Sequence, residues 1–311
     1  MVSLGGCSCS RFLRLAAVKH AILVCLLFPV ATWALEPIAT VTLLEGSASL
    51  LRSPSRYALA EGVRLGQGDI LELGDKALCQ VEFTDGTIVD LAAQSRFLVL
   101  AYPGAGARSP GAGELFLLQG WMKASTPQQP ARVVGRYSSP LVELSTADAT
   151  AVVQVLGSEA GVFIESGEAR AAPISSYEKV SDAVRVKASQ FLSCKKDQRC
   201  AVVARPPQAF LAALPRSFMD TLPSRMAKFK ERNVAPKRSG EVTYPEVQDW
   251  VNSVPAVRRL MVSHWQFKLG DPAFRSAIAG GLKDHPEWDR LINPEKYEHP
   301  PNKSGPPTGT R

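Results

Sequence analysis

The chain has 311 residues, a formal charge of +7 and six cysteines. The length admits one large domain or two ordinary ones, and past the N-terminal apolar run no segment is long and apolar enough to span a bilayer. The charge is uneven. Residues 35–204 hold 16 basic and 18 acidic side chains, a net of −2, whereas residues 205–311 hold 17 and 11, a net of +6.

The first 34 residues fall into three zones. Residues 1–19 carry Arg11, Arg14 and Lys19 and no acid; AILVCLLFPV at 21–30 is almost purely apolar; ATWA ends at Ala34. This is the order of a secretory signal peptide, with Thr32 and Ala34 as the small residues beside Trp33 and cleavage after Ala34. An uncleaved anchor is the alternative, but the run from Ala21 to Ala34 is short for a span and contains Pro29. Lipoprotein processing is disfavoured because Cys25 lies inside the apolar run. A start downstream of Met1 stays open. The expected location is the periplasm, with a mature chain that has no transmembrane segment.

From Ile38 to about Val203 short apolar runs alternate with turn residues, which predicts an all-β domain over 35–204. Leu78 to Phe83 alternates, with Gln80 and Glu82 on one face and Cys79, Val81 and Phe83 on the other. Asp85-Gly86 follows as a hairpin signal, with both residues candidates for positive φ. Thr87 to Leu91 is the partner strand. Further runs are Arg96 to Ala101, Glu114 to Ala124, Pro140 to Leu144, Ala151 to Leu156, Gly161 to Glu165 and Ala183 to Lys187. Gly66 and Gly68 permit a tight corner before Asp69. The Gly-rich stretch Pro103 to Gly113 reads as a flexible excursion; it lacks the spacing and the Lys-Ser/Thr of a phosphate loop.

Three cysteines follow the signal segment. Cys79 sits on an apolar strand face and reads as a buried small hydrophobe. Cys194 and Cys200 bracket five polar residues, so an oxidising compartment favours a disulfide between them that pins a hairpin or a domain edge.

At Ala204-Arg-Pro-Pro207 the alternation gives way to helical spacing, which predicts an α-helical C-terminal subdomain over 205–298. Leu222, Met226 and Phe229 share one face of a short helix. Thr243-Tyr-Pro-Glu246 reads as a capping box, and the helix behind it presents Val247, Trp250, Val251 and Val254. Val257, Leu260, Met261, His264 and Trp265 continue the stripe after Pro255. Asp271-Pro272 reads as an N-cap and N1 pair for a helix carrying Phe274, Ile278 and Leu282. These stripes bury either against one another, on the β domain or on a partner. Residues 299–311 are rich in Pro, Gly and Ser and read as a disordered tail.

Gly46-Ser-Ala-Ser-Leu, Gly66-Gln-Gly-Asp-Ile-Leu-Glu-Leu-Gly-Asp-Lys-Ala, Val81-Glu-Phe-Thr-Asp-Gly-Thr-Ile-Val-Asp-Leu and Ser95-Arg-Phe-Leu-Val together resemble the FecR domain family. A second block follows in order: Ser139-Pro-Leu-Val-Glu-Leu, Gly161 to Gly167, and Val186-Lys-Ala-Ser-Gln190, with Ser189 where the family usually has Gly. The resemblance implies a periplasmic, solenoid-like or sandwich all-β domain without an active site. Family members in iron-transport signalling are anti-sigma regulators with a cytoplasmic helical domain before a transmembrane helix. Here only about 20 residues precede the apolar run, which is too short for that domain, so the anti-sigma role is not expected to carry over.

The search for chemistry finds isolated groups. His264 falls on an apolar stripe. His285 sits among Asp284, Glu287 and Asp289 without a metal-ligand spacing. Asp69, Asp75, Asp85 and Asp90 are carboxylates that could serve glycoside chemistry, but turn capping and solvent exposure explain them more economically. No catalytic, cofactor or metal residues are assigned; the site candidates are the disulfide pair Cys194 and Cys200. The expected function is a non-catalytic, exported FecR-domain binding or scaffold protein, with no cofactor and no nucleic acid, recognising an envelope protein or cell-wall polymer. The alternatives are an envelope sensor in a signalling system and an enzyme acting on cell-wall glycan.

Overall fold

The computed structural model of the chain describes residues 37–101, 113–127, 134–174, 183–220 and 222–298. The expected signal peptide, most of the Pro103–Gly113 stretch and the expected disordered tail lie outside the described residues. Among the described residues no helix is long and apolar enough to cross a membrane.

The strands run in chain order as β1 (Ala39–Glu45), β2 (Ala48–Arg52), β3 (Ser55–Ala58), β4 (Arg64–Leu65), β5 (Ile70–Leu73), β6 (Leu78–Phe83), β7 (Ile88–Leu91), β8 (Arg96–Ala101) and β9 (Glu114–Ser125). They continue as β10 (Gly135–Ser138), β11 (Val142–Thr146), β12 (Thr150–Leu156), β13 (Glu159–Ser166), β14 (Glu168–Pro173), β15 (Val184–Lys187), β16 (Phe191–Lys195), β17 (Ala201–Val203) and β18 (Lys237–Glu241). Hydrogen bonding sorts them into two sheets. The front sheet has the order β4–β1–β6–β7–β9–β12–β13–β16–β17. The back sheet has the order β18–β3–β2–β5–β8–β9–β10–β11–β14–β15. Every pairing is antiparallel except β9 with β10.

The long strand β9 belongs to both sheets. Its first half pairs with β8 and its second with β7 and β12. It bends at Gly120, where φ is +93° and a Cβ would lie 2.5 Å from the Ser95 Cα, so only glycine fits. The interior between the sheets is apolar. Val41, Val81, Phe83 and Met122 of the front sheet meet Leu50, Leu71, Phe97 and Leu117 of the back. The mainly β fold with small C-terminal helices is therefore as expected, and of the two arrangements left open the strands adopt a curled two-sheet sandwich.

The chain passes repeatedly from one sheet to the other. Several crossings turn on a residue of left-handed backbone: Gly46, Gln94, Asp148, Gly167 and Ser189. Ser189 holds φ +66°. The position where the resembled family usually has Gly thus keeps the glycine geometry with a serine, at a cost of about 1 kcal/mol.

The motif turns are built from hydrogen bonds within the chain. Asp69 Oδ2 accepts from the Gly66 amide at 2.8 Å, and the Arg52 guanidinium grips both carboxylate oxygens. Asp85 departs from expectation. Only Gly86 takes a positive φ (+84°); Asp85 instead accepts the Thr87 amide at 2.8 Å, bracing a turn closed by the Gly86 amide on the Phe83 carbonyl. A side-chain acceptor two residues back does the work assigned to a second left-handed residue.

Two different coverings lie on the sandwich. The back sheet carries helices α2 (Tyr244–Val251), α3 (Pro255–Trp265) and α4 (Pro272–Gly280), which follow the short α1 (Gln208–Ala213). The capping box forms as read: Thr243 N donates to Glu246 Oε2 at 2.7 Å. Asp271 caps α4 through the Ala273 amide at 2.9 Å, with Pro272 at N1. Trp250, Met261, Trp265 and Phe274 pack in one cluster with Leu51, Ile70, Leu98 and Phe116 of the back sheet. The helical stripes therefore bury on the β-sandwich. Arg96 ties the two layers, donating to Glu72 Oε1 (2.8 Å) and the Glu246 carbonyl (3.0 Å) while lying 5.4 Å over the Trp250 ring. The front sheet is covered by a strap, residues 205–232, of which only α1 is α-helical.

Candidate functional site

Strand alternation gives the front sheet an outward polar stripe of Gln80, Glu82, Asp90 and Lys123, flanking the interior Cys79, Val81, Val89 and Met122. The strap buries it. Phe210 and Phe218 plug onto Val152 and Phe191. Lys123 Nζ donates to the Phe218 carbonyl at 2.6 Å and pairs with Glu165 at 2.9 Å. Glu82 accepts the Ser224 hydroxyl and, at 2.6 Å, the Arg225 amide. Burial pushes the Asp90 carboxyl up to about 6, with Gln80 and Lys123 offsetting part of the effect and Glu82 adding to it. Asp90 is thus a sealed group and not a solvent-exposed one, because a strap far away in sequence lies on it.

Beside the strap the corners of the sandwich line a groove of about 650 Å³. Its walls are Glu45 at the end of β1, Lys76 between β5 and β6, Gln94 between β7 and β8, the β9 bend and the β12 end; Ala213 to Ser217 of the strap close one side. Three glutamine amides line it, from Gln94, Gln119 and Gln154. Gln119 Nε2 donates to the Gln94 carbonyl at 3.3 Å and Gln94 Nε2 to Asp75 Oδ1 at 3.1 Å, which fixes two of them. Trp121 is the register partner of Gln154, so an indole and an amide stand side by side. The indole is held from behind by Phe210, with ring centroids 5.1 Å apart, and by the edge of Phe218 at 6.5 Å. Lys76 and Arg216 bring positive charge. Amides, one aromatic edge and two cations can hold a ligand rich in hydroxyl, amide or carboxylate groups.

The residues singled out from sequence are dispersed. Asp69 and Asp85 each brace a separate turn, Asp75 accepts the Gln94 amide of a neighbouring corner, and Asp90 is buried on the front sheet. Cys79 is buried in the interior, where burial pushes its thiol far up. Burial also pushes the Tyr137 hydroxyl up to about 12; it sits in the interior 2.8 Å from Thr126 Oγ1. His264 packs its ring against Gly68, and burial lowers its pKa despite the nearby Asp69. His285 is fully buried, with Nδ1 2.8 Å from Asn252 Oδ1 and Nε2 2.9 Å from the Ile278 carbonyl. Both ring nitrogens are occupied by structural partners. Among the described residues no group of three or more His, Cys, Asp or Glu side chains could hold a metal ion. Cys194 and Cys200 form a disulfide, S–S 2.02 Å. The register that pairs Ser193 with Ala201 sets the two cysteines opposite each other, so the bond staples the β16–β17 hairpin at the edge of the front sheet.

Sequence reading did not find the groove. Trp121, Gln154 and Arg216 lie in three separate segments, and only the corners and the strap bring them together.

No family model matches the sequence, and no curated protein matches it. The FecR-domain resemblance therefore rests on the motif residues alone. Two solved structures, at 1.65 and 2.50 Å, of a protein described as a "putative anti-sigma factor" from Parabacteroides distasonis are similar to part of this chain. Each is 12% identical over 46% of this chain, with a TM-score of 0.38. The match spans 63% and 64% of those structures, less than two thirds of their length.

Proposed function

We propose that this chain is an exported, non-catalytic binding module that holds an envelope component, a cell-wall polymer or a protein segment, in the groove beside the strap. The observation that carries the reading is the convergence of Trp121, Gln119, Gln154 and Arg216 in one open groove walled by sheet corners and, on one side, by the strap. Rigid walls limit the ordering cost of binding. The groups whose proton affinity the fold displaces most, Cys79, Asp90 and Tyr137, lie in the interior or under the strap, so recognition and not acid–base work is the natural use of the groove. The Cys194–Cys200 bond supports export, since such bonds persist in oxidising compartments.

The test is calorimetric titration of the purified chain with solubilised peptidoglycan fragments and with a detergent-free envelope extract. Binding is expected, weakened about tenfold or more by the double substitution Gln154→Ala and Arg216→Ala, with the thermal transition unmoved. A tenfold loss is about 1.4 kcal/mol, within reach of two polar contacts. Equal binding by parent and variant, or no binding to either preparation, would defeat the proposal.

A further inference from the structure

The positive charge of the C-terminal third is concentrated in one place. Residues 205–240 hold eight basic and two acidic side chains, a net of +6; residues 241–311 hold nine of each, a net of zero. The helical segment 241–298 holds seven basic and nine acidic side chains, a net of −2, so the excess lies in the strap and its exit into β18.

Several exposed cations elsewhere find acids, whereas Lys76, Lys187, Lys196 and Arg199 stand singly or in pairs with no ion pair among the described residues. Lys195 pairs with Glu159 at 2.8 Å, Arg185 with Glu168 at 3.5 Å and Lys296 with Asp289 at 3.2 Å. Lys228, Lys230, Arg232 and Lys237 are exposed and form no ion pair among the described residues. Only Glu231 interrupts them with negative charge.

The backbone under these cations is held firmly. Arg64 donates to the carbonyls of Phe229, Lys230 and Arg232 at 3.3, 3.2 and 3.4 Å. Val234 bridges Val63, and β18 pairs along β3. The fold thus places a fifth cation, Arg64, beneath a cluster of like charge. Like charges this close destabilise a fold unless an anion offsets them. Lysine on an edge strand can simply discourage strand addition. That accounts for Lys237 on β18, but Lys228, Lys230 and Arg232 precede the strand.

We infer that Lys228, Lys230, Arg232 and Lys237 form a docking strip for a linear polyanion, a glycan or wall polymer bearing carboxylate or phosphate along its length. The four cations are spread over nine residue steps, from the 3-10 turn Met226–Phe229 to the start of β18. A bilayer surface fits less well. The exposed large apolar side chains lie elsewhere, Met219 and Leu211 being those within the strap, and none falls between residues 222 and 243 to anchor in lipid. The inference uses none of the groove residues and stands or falls apart from the groove.

The test is fluorescence-anisotropy binding of the purified chain to labelled polyuronate oligomers and to labelled poly(glycerol phosphate), from 50 to 300 mM salt. Neutral dextran, vesicles containing phosphatidylglycerol and a single-stranded oligonucleotide are the other arms. Binding to one or both polymers at least tenfold tighter than to dextran is expected, with affinity falling on a log–log salt slope of about −3 for four released counterions. Substituting all four residues by Gln should cost tenfold or more and flatten that slope, whereas Arg185→Gln with Lys195→Gln, which removes two paired cations, should leave both unchanged. The inference is overturned if neither polymer binds at 50 mM salt, if the fourfold variant binds like the parent, or if vesicles or the oligonucleotide bind more tightly than both polymers.

Discussion

The two faces of the sandwich are covered by opposite means. On the back, helices bring indoles and aliphatic side chains onto Leu51, Ile70, Leu98 and Phe116, and almost every buried group is apolar. On the front, the strap lies on a polar stripe and supplies one carbonyl to Lys123 and an amide and a hydroxyl to Glu82. Two phenylalanines, Phe210 and Phe218, provide most of its apolar anchorage. The helical cover draws on buried area, roughly 25 cal/mol per Å². The strap draws on completing polar partners that burial has stripped of water, a small net gain when made and a large loss when broken. One sheet system thus carries a cover built for permanence and a cover whose hold depends on a few named bonds.

The helical cover depends most on Trp250. Its indole is fully buried, donates to Glu72 Oε1 at 3.3 Å and lies under Arg96. Trp250→Ala should cost about 3–5 kcal/mol of global stability. Urea unfolding followed by far-UV dichroism measures it; a loss below 1 kcal/mol would mean the helices are not integral to the fold.

The next effect lies under the strap and depends on pH. Asp90 titrates near 6 in the fold against an ordinary 3.8. A carboxyl raised in the fold keeps its proton where the unfolded chain has lost it. Its contribution to stability therefore falls as pH climbs from about 4 to about 6 and is level beyond. Asp90→Asn should remove that slope and raise stability at pH 7.5 relative to pH 4, by no more than about 3 kcal/mol. Denaturation midpoints of parent and variant at the two pH values decide it. The same shift at both would show that Asp90 does not titrate between them. Glu246, whose carboxyl is held low by Thr243 and Arg56 against the pull of burial, works in the opposite sense: its contribution is lost as pH falls.

The smallest effect sharpens the contrast. Glu82→Ala removes the acceptor of Ser224 and Arg225, at about 1–2 kcal/mol. The loss should be local. Amides from 215 to 230 should exchange faster, while those of β6 and β7 keep their protection. Uniform acceleration across the front sheet would show that strap and sheet open together.

How much of this was legible in the sequence follows the same divide. β6 and β8 match their sequence runs to the residue, and the capping box at Thr243 and the stripe through Val247, Trp250 and Met261 were plain, because each is a periodic pattern with local punctuation. The Cys194–Cys200 pairing was legible from spacing and compartment. β3, β10, β14, β16, β17 and β18 fall outside the strand runs that the sequence marks out. β18, Lys-Arg-Ser-Gly-Glu, is almost wholly exposed and shows no alternation; only β3 beside it makes it a strand. Asp90 reads as solvent-exposed, and Gln80 and Glu82 share one face of an alternating strand, because nothing local in the sequence signals a cover. The strap that covers them comes some 90 to 140 residues later, and its helical spacing at Leu222, Met226 and Phe229 yields only the 3-10 turn Met226–Phe229. The groove was hidden for the same reason, since its walls are corners distant in sequence.

The strap is fixed at both ends. It leaves the sandwich just after β17, which the Cys194–Cys200 bond staples to β16, and it returns where β18 pairs with β3. It is a tethered loop and not a free arm. If its central bonds to Glu82 and Lys123 let go, it cannot depart; it re-closes as a first-order event, at a rate independent of protein concentration, with an entropic cost that grows only as the logarithm of its length. A partner that competes for the front sheet must then outbid a segment held at fixed effective concentration. A reductant that cuts the disulfide would loosen one tether and lower that concentration without touching a single bond under the strap.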